Sequence, residues 1–405
     1  MANSGALRSF KHRNFRVLYP ASVLSNIGTW AQRVAQDWLV LELTGSSQDL
    51  GLVTGLQFLP TIFLSLWGGA LADRFDKRKL LMLTNAGGAL TSAFLGILVV
   101  THSANIWWVY GLALLLGIFS AVDAPIRTSF TSELVGKADL PNAVSLNSAN
   151  FNAGRLIGPA LSGYLILYFG TGPSFLINAV TYLAMIFALW RLRRDELHIT
   201  VKPKRDASIR EAVNYVRNNI NVKLVMLTVF FSTTFGLNFQ IFNALVTKNV
   251  FHLGSAEFGN AGSVLAIGSL SAAIIAANLE NSRTPKRIMV GAIGFGLALM
   301  AISFAPNFAT YLLMLPVAGA VALLTLISAN SYVQTTTPPA LRGRVMGIYL
   351  LIFMGGTPIG SPIIGFAAQY IGIRNTVLIC GLITTIAAVT MFTKLRESVK
   401  NQAKR

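Results

Sequence analysis

The chain has 405 residues, of which 53% are hydrophobic and only 12% charged, with a mean hydropathy of +0.59. So few charges cannot cover a water-soluble globule, which carries about a quarter charged residues, and such hydrophobicity excludes a disordered chain. A single cysteine, Cys380, leaves no disulfide framework and no cysteine-built zinc site, so a polytopic membrane protein remains.

The net charge of +18 would suit a nucleic-acid partner, but its distribution argues against one. Lys and Arg concentrate in the N-terminus, the C-terminus and alternate loops. Only Lys248 and Arg374 sit in the other loops, and Arg33 and Arg155 lie inside apolar runs. This positive-inside bias predicts cytoplasmic termini and no nucleic-acid partner. Arg8, Lys11, Arg13 and Arg16 precede the first apolar run, which contains Gln32, Arg33 and Asp37. That run is too long and too polar for a cleaved signal peptide and reads as a retained helix.

A spanning helix needs about 20 mostly apolar residues. Such runs fall near 17–43, 49–72, 79–101, 106–126, 142–168 and 173–192, then near 221–247, 258–279, 286–305, 310–334, 342–369 and 374–393. The expected fold is therefore all-α and integral to the membrane, with twelve transmembrane helices in two pseudo-symmetric six-helix bundles. The expected domains are residues 1–192, a cytoplasmic linker at 193–220, and 221–405. Within the linker, Ser208 and Glu211 form a possible capping box. Ile209, Ala212, Val213 and Val216 follow at helical spacing, which fits an amphipathic helix on the membrane surface or a solvated linker helix.

The halves repeat. Phe151, Gly158, Gly163, Tyr168 and Gly170 recur as Phe353, Gly360, Gly365, Tyr370 and Gly372, each 202 residues later. Two six-helix halves related by a parallel repeat are a transporter architecture.

Between the second and third runs stands Gly69-Ala-Leu-Ala-Asp73-Arg74-Phe-Asp76-Lys77-Arg78-Lys79. It resembles the loop signature G-x-L-A-D-R-x-G-R-K of the major facilitator superfamily, with Asp76 where the family has its second glycine. Gly69 is expected to let two helices approach closely. The resemblance implies a gate network of Asp73, Lys77 or Arg78, and Asp123 at the foot of the fourth helix. The alternative is that these charges serve topology alone.

The fifth run carries Gly154-Arg155-Leu-Ile-Gly158-Pro159-Ala-Leu-Ser162-Gly163. It is similar to the antiporter motif G-x-x-x-G-P-x-x-G-G of exporters in that superfamily, with Ser162 in place of one glycine. Gly154 and Gly158 make a small face for helix packing, and Pro159 bends the helix. The amide-rich stretch from Asn142 through Asn147 and Asn150 to Asn152, with the first run's ending Trp38-Leu-Val-Leu-Glu-Leu-Thr-Gly-Ser, resembles the branch of enterobactin exporters and macrolide efflux proteins. The arginine that many relatives carry in the fourth helix is absent, since Leu112 to Phe119 holds no charge.

Charges within a bilayer are expensive and usually functional. Asn26, Trp30, Arg33 and Asp37 recur on one stripe of the first helix, beside Gln32 and Gln36. Desolvation and a neighbouring arginine compete over a buried carboxylate, as a proton-coupling site requires. Asp37 and Arg33 are therefore the expected coupling residues, with a static ion pair as the alternative. The substrate cavity is expected to include Asn26, Trp30, Gln36, Asn150, Arg155, Phe235, Asn238, Asn243 and Met354, whose aromatic and Met walls suit large apolar substrates.

No phosphate-binding loop occurs, and His12, His102, His198 and His252 lack metal-ligand spacing. No enzyme activity, metal or cofactor is expected. The sequence reads as a monomeric secondary transporter of the cytoplasmic membrane that exports an amphipathic drug-like or siderophore-like molecule in exchange for protons. A lipid flippase, an importer of the same fold and a non-transporting membrane scaffold or secretion partner are the alternatives.

Overall fold

A computed structural model describes residues 5, 7–198, 209–278 and 284–403, and those residues form helices and short connections, with no strand among them. A 3-10 turn (Arg8–Lys11) precedes α1 (Arg13–Thr44), α2 (Ser47–Arg74), α3 (Lys77–Val100), α4 (Ile106–Phe169) and α5 (Gly172–Trp190). Then come α6 (Ile209–Asn218), α7 (Ile220–Phe231), α8 (Phe239–Leu245), α9 (Ser255–Asn278), α10 (Pro285–Ser303), α11 (Phe308–Thr336), α12 (Arg342–Ile371) and α13 (Ile373–Ala403).

The starts of these helices follow local chemistry. Asn105, Asn219, Thr284 and Asn307 each accept a backbone N–H three residues on, which satisfies a donor that the first turn leaves unpaired. Asp76 does the same for α3 through Lys79 N–H at 3.2 Å. Its φ of −59° explains how the loop forms without the family's glycine: a capping carboxylate stands where backbone freedom was expected.

Among the described residues, nine helices are long and apolar enough to cross a membrane, or ten if the bent α2 counts as one span. Twelve runs were expected from the sequence. The 64-residue α4 holds two of them and turns at Gly136, whose φ of 70° is open to glycine at little cost. The first run, α1, is not among the nine.

The packing resolves into two compact units: residues 1–45, 56–203 and 254–263 form one, and residues 46–55, 204–253 and 264–405 the other. Two short segments thus pack away from the half that the chain order gives them. The first unit's core joins Phe15, Leu81, Ile126, Phe130 and Met185 from α1, α3, α4 and α5. The second unit's core joins Val222, Val225, Ile288, Ala329, Val345 and Tyr349 from α7, α10, α11 and α12.

The expected amphipathic helix is α6, which begins at Ile209; Ser208 lies outside the described residues. Part of its apolar face is covered by protein. Ala212 is fully buried in the second unit's core, and Tyr215 donates to the Thr336 carbonyl at 3.2 Å. One side of this linker helix thus packs on its own unit, and the other is exposed. The stripe found the core of its own unit, although Val213 stays exposed.

Candidate functional site

The sequence-predicted residues of the first unit meet where α1 crosses the second half of α4. A Cβ at Gly158 would stand 2.6 Å from Trp30 Cβ, and one at Gly154 would stand 2.7 Å from Trp30 Cδ1 and overlap Asn26. The two motif glycines are therefore the seat of α1, and larger residues there would push Asn26 and Trp30 out. Asn26 Nδ2 donates to the Asn150 carbonyl at 2.7 Å, and Asn150 Nδ2 donates to Ser22 Oγ at 3.2 Å. The amide-rich start of α4's second half is thereby tied to α1.

Above this seat two guanidinium groups flank one indole. Arg33 Cζ lies 4.8 Å from the Trp30 ring centroid and 5.0 Å from that of Phe58, and Arg155 Cζ lies 5.8 Å from Trp30. These are cation–π distances. Phe151 meets Trp30 edge-on at 5.7 Å and is half exposed, so the cluster has an open side. Arg33 Nε is buried with no hydrogen-bond partner. Asp37 is buried one turn further along α1 and within electrostatic reach of Arg33. Gln36 is buried in α1, and its neighbour Gln32 accepts from Ser92 at 2.7 Å and Asn178 at 2.6 Å inside the unit.

Pro159 and Gly163 meet the start of α9. Ser255 Oγ donates to the Gly163 carbonyl at 3.1 Å. Ser263 Oγ donates to the Leu156 carbonyl at 2.5 Å and accepts from Ala160 N–H at 3.2 Å. A serine from α9 thus sits inside the α4 ladder at the proline bend, one recognised cause of a helix kink.

The expected gate network is not formed in this structure. Lys77 Nζ pairs with Glu133 at 2.6 Å, and Arg78 donates to the Trp190 carbonyl at 2.5 Å, where it caps the end of α5. Asp123 accepts from Thr84 at 2.8 Å, Asn85 at 3.0 Å and Arg127 at 2.7 Å. Asp73 and Arg74 are exposed. The close approach expected at Gly69 falls one residue earlier: a Cβ at Gly68 would stand 2.7 Å from Pro125, whereas nothing lies within 4 Å of one at Gly69.

Sequence reasoning missed the charges that hold this basic end together. Asp139 is buried against Arg8, Lys11 (2.6 Å) and His12 (2.7 Å) from the 3-10 turn and its end. Hydrogen bonds from Lys11, then His12 and Arg8, hold its carboxyl well below the usual carboxylate range despite burial. The signal was present in the sequence. Glu133 and Asp139 are two acids close together in a chain rich in bases, and the N-terminus carries Arg8, Lys11 and His12.

In the second unit, Asn238 and Asn243 serve the helix rather than an open cavity. Between α7 and α8 the backbone forms a π-helical turn over Ser232–Gly236, and Asn238 Nδ2 donates to the Thr234 carbonyl at 2.9 Å. Asn243 accepts from Tyr311 at 2.7 Å, and both amides are buried. Phe235 stacks on Phe231 at 6.3 Å, and Met354 is exposed on α12. Among the described residues no group of His, Cys, Asp or Glu could hold a metal ion.

Long apolar helices with charged and amide side chains gathered at their crossing define a multi-pass membrane transporter. Residues 4–404 match the family described as transmembrane secretion effector, and the chain belongs to this branch of the major facilitator superfamily, whose members are transporters and not enzymes. The staphyloferrin A transporter of Staphylococcus aureus is 26% identical over 95% of this chain and 97% of its own. The multidrug efflux pump Tap of Mycolicibacterium fortuitum is 27% identical over 93% and 95%. The enterobactin exporter EntS of Citrobacter koseri is 23% identical over 87% and 85%. In fold, the chain is similar to a bacterial homolog of the human lysosomal transporter Spinster, with a TM-score of 0.79 at 16% identity over 96% of this chain and 98% of that one. It is also similar to a D-xylose–proton symporter, with a TM-score of 0.73 at 14% identity over 93% and 97%.

Proposed function

We propose that this transporter exports an amphipathic small molecule, drug-like or siderophore-like, from the cytoplasm by alternating access of two six-helix halves, residues 1–192 and 221–405. The observation that carries the reading is the Arg33–Trp30–Arg155 cluster seated on Gly154 and Gly158. Charged groups in membrane helices cost several kcal/mol each, roughly, and a scaffold has no use for them. The relatives named for siderophore and drug export support the same reading. Protons are the proposed coupling ion and Asp37 the proposed coupling acid, because it is a carboxylate buried in α1 within electrostatic reach of Arg33. The basic loops favour cytoplasmic termini in the cytoplasmic membrane, and the proposed working unit is a monomer.

The test reconstitutes the full chain in proteoliposomes and records substrate-induced proton movement over a panel of cationic and anionic dyes. Proton flux that needs both a dye and Asp37, and is lost in Asp37→Asn, is the expected result. Dye flux whose proton dependence survives Asp37→Asn would remove Asp37 from coupling. Transport of no dye in any direction would overturn the export reading.

A further inference from the structure

Three acids inside the first unit each have a basic partner. Asp123 has Arg127, Glu133 has Lys77, and Asp139 has Arg8, Lys11 and His12. Arg33 and Arg155 have no ion pair among the described residues, although both belong to membrane helices, where an unmatched charge is most costly. Asp37 lies within electrostatic reach of Arg33, and among the described residues Arg155 has no acid in such reach. Cation–π contact with Trp30 and Phe58 holds the guanidinium planes but supplies no counter-charge. The buried, unpartnered Arg33 Nε leaves part of the fork unused.

We propose that Arg33 and Arg155, flanking Trp30, bind the carboxylate groups of an aromatic, anionic small molecule, which the transporter carries as substrate. The inference rests on the export reading above and narrows its substrate class. A guanidinium presents paired donors that match a carboxylate, so a bound acid would supply both the missing charge and the missing acceptor. Trp30 and the half-exposed Phe151 offer aromatic faces beside it. No second cluster competes for this role. The unpartnered oxygens of Ser232, Thr234 and Asn238 at the α7 break are neutral and carry no preference for an anion.

The experiment titrates carboxyfluorescein, an aromatic polycarboxylate, into the purified full chain and follows fluorescence anisotropy, with ethidium as the cationic comparison. Wild type should bind carboxyfluorescein more tightly than ethidium. In Arg33→Gln and Arg155→Gln that preference should fall at least about tenfold, a change of 1.4 kcal/mol. Arg33→Lys keeps the charge but loses the fork, so it should fall between wild type and Arg33→Gln. A role in packing alone would not produce that order. Thermal unfolding of each variant separates lost binding from lost fold, and any variant that unfolds is replaced by its lysine counterpart.

Failure of carboxyfluorescein to bind wild type, or equal affinity in wild type and both glutamine variants, would overturn the inference. An anionic lipid headgroup shares the chemistry, so binding is repeated in phosphatidylcholine vesicles with and without phosphatidylglycerol. Displacement of the dye by phosphatidylglycerol would assign the site to lipid and also overturn the inference. Ethidium export without anion binding would defeat this proposal and leave the export reading standing.

Discussion

The repeat places the same glycine pair in both halves, and each pair receives a different kind of partner. Gly154 and Gly158 of α4 correspond to Gly356 and Gly360 of α12 at the 202-residue offset. In the first unit they seat the side chains of an unbroken helix, Asn26 and Trp30 of α1. In the second they face the main chain and hydroxyl of Thr233 and the carbonyl of Thr234, where the helix is broken by a π-helical turn. Arg155 of the first unit has Thr357 as its counterpart. The halves thus share a packing frame and divide the chemistry. One presents cations beside an indole, and the other spends its polar groups on holding an irregular backbone.

The largest expected effect tests that division directly. A Cβ at Gly360 would overlap the Thr234 carbonyl oxygen and stand 2.7 Å from its carbon, so only movement of the main chain could admit it. Gly360→Ala should cost more than about 3 kcal/mol, the upper end of ordinary overpacking, and abolish recovery of monodisperse protein. Gly158→Ala meets Trp30 Cβ at 2.6 Å and Ile27 O at 3.0 Å and should cost about 1–3 kcal/mol. Gly154→Ala meets the movable ends of Asn26 and Trp30 and should cost about 1 kcal/mol while shifting the anion preference. Thermal unfolding midpoints of the three variants check the order, and a less harmful Gly360→Ala would break the comparison.

A second pair of contacts sharpens it. Ser255, Gly259 and Ser263 of α9 repeat the spacing of Ser47, Gly51 and Gly55 of α2. Gly259 lies against Gly163 and Pro159, and Gly51 against Gly365 and Ser361. Ser255 bonds the Gly163 carbonyl, and Ser263 puts its hydroxyl between a carbonyl and an N–H of the facing helix; the counterpart of Ser263, Gly55, packs on the Pro362 ring, 2.9 Å from a Cβ there. Ser263→Ala should therefore cost about 1–3 kcal/mol by stranding a carbonyl and an N–H at the Pro159 bend. Ser361→Ala removes a bond made only within its own helix, to Thr357 at 2.6 Å, and should cost less than about 0.5 kcal/mol. Equal destabilisation of the two variants in a thermal melt would show that the inserted hydroxyl contributes nothing special.

Much of this was legible in the sequence because it depends on periodicity and small residues. The apolar runs, the repeat and the Gly154–Gly158 face need only spacing to be seen. The stripe of Asn26, Trp30 and Arg33 needed only the helical period. What could not be read was pairing across elements. Lys77 has several acids of equal merit along the chain, and which one it reaches depends on the Gly136 turn placing Glu133 opposite it. Asn238 reads as a cavity amide because the π-helical turn it bonds leaves no periodic signature, and Asn243 because its partner Tyr311 lies on another helix. The close approach falls at Gly68 and not at Gly69, a one-residue difference that composition cannot register.

The smallest effect concerns the segments that precede each half's first helix. Before α1, the turn Arg8–Lys11 docks on the first unit through Asp139, whose counterpart at the repeat offset is Leu341. Before α7, the helix α6 docks on the second unit through Ala212 and Tyr215 against a largely apolar surface. One attachment is therefore electrostatic and the other hydrophobic. The facing charges at Asp139 are Arg8, Lys11 and His12, with His198 edge-on to His12 at 5.8 Å. Because these partners depress the Asp139 pKa in the folded state, its stabilisation is fully present above the unfolded value, about 3.9. It is lost only as pH falls through the lower folded value. Hydrogen exchange over residues 8–12 should accelerate in Asp139→Asn both at pH 8 and at pH 5, while exchange over α6 stays as in wild type. High salt should narrow the first difference, since the cations are partly exposed, and leave α6 protected. A salt-sensitive α6, or an Asp139→Asn difference that disappears by pH 5, would contradict the assignment of charge to one attachment and apolar contact to the other.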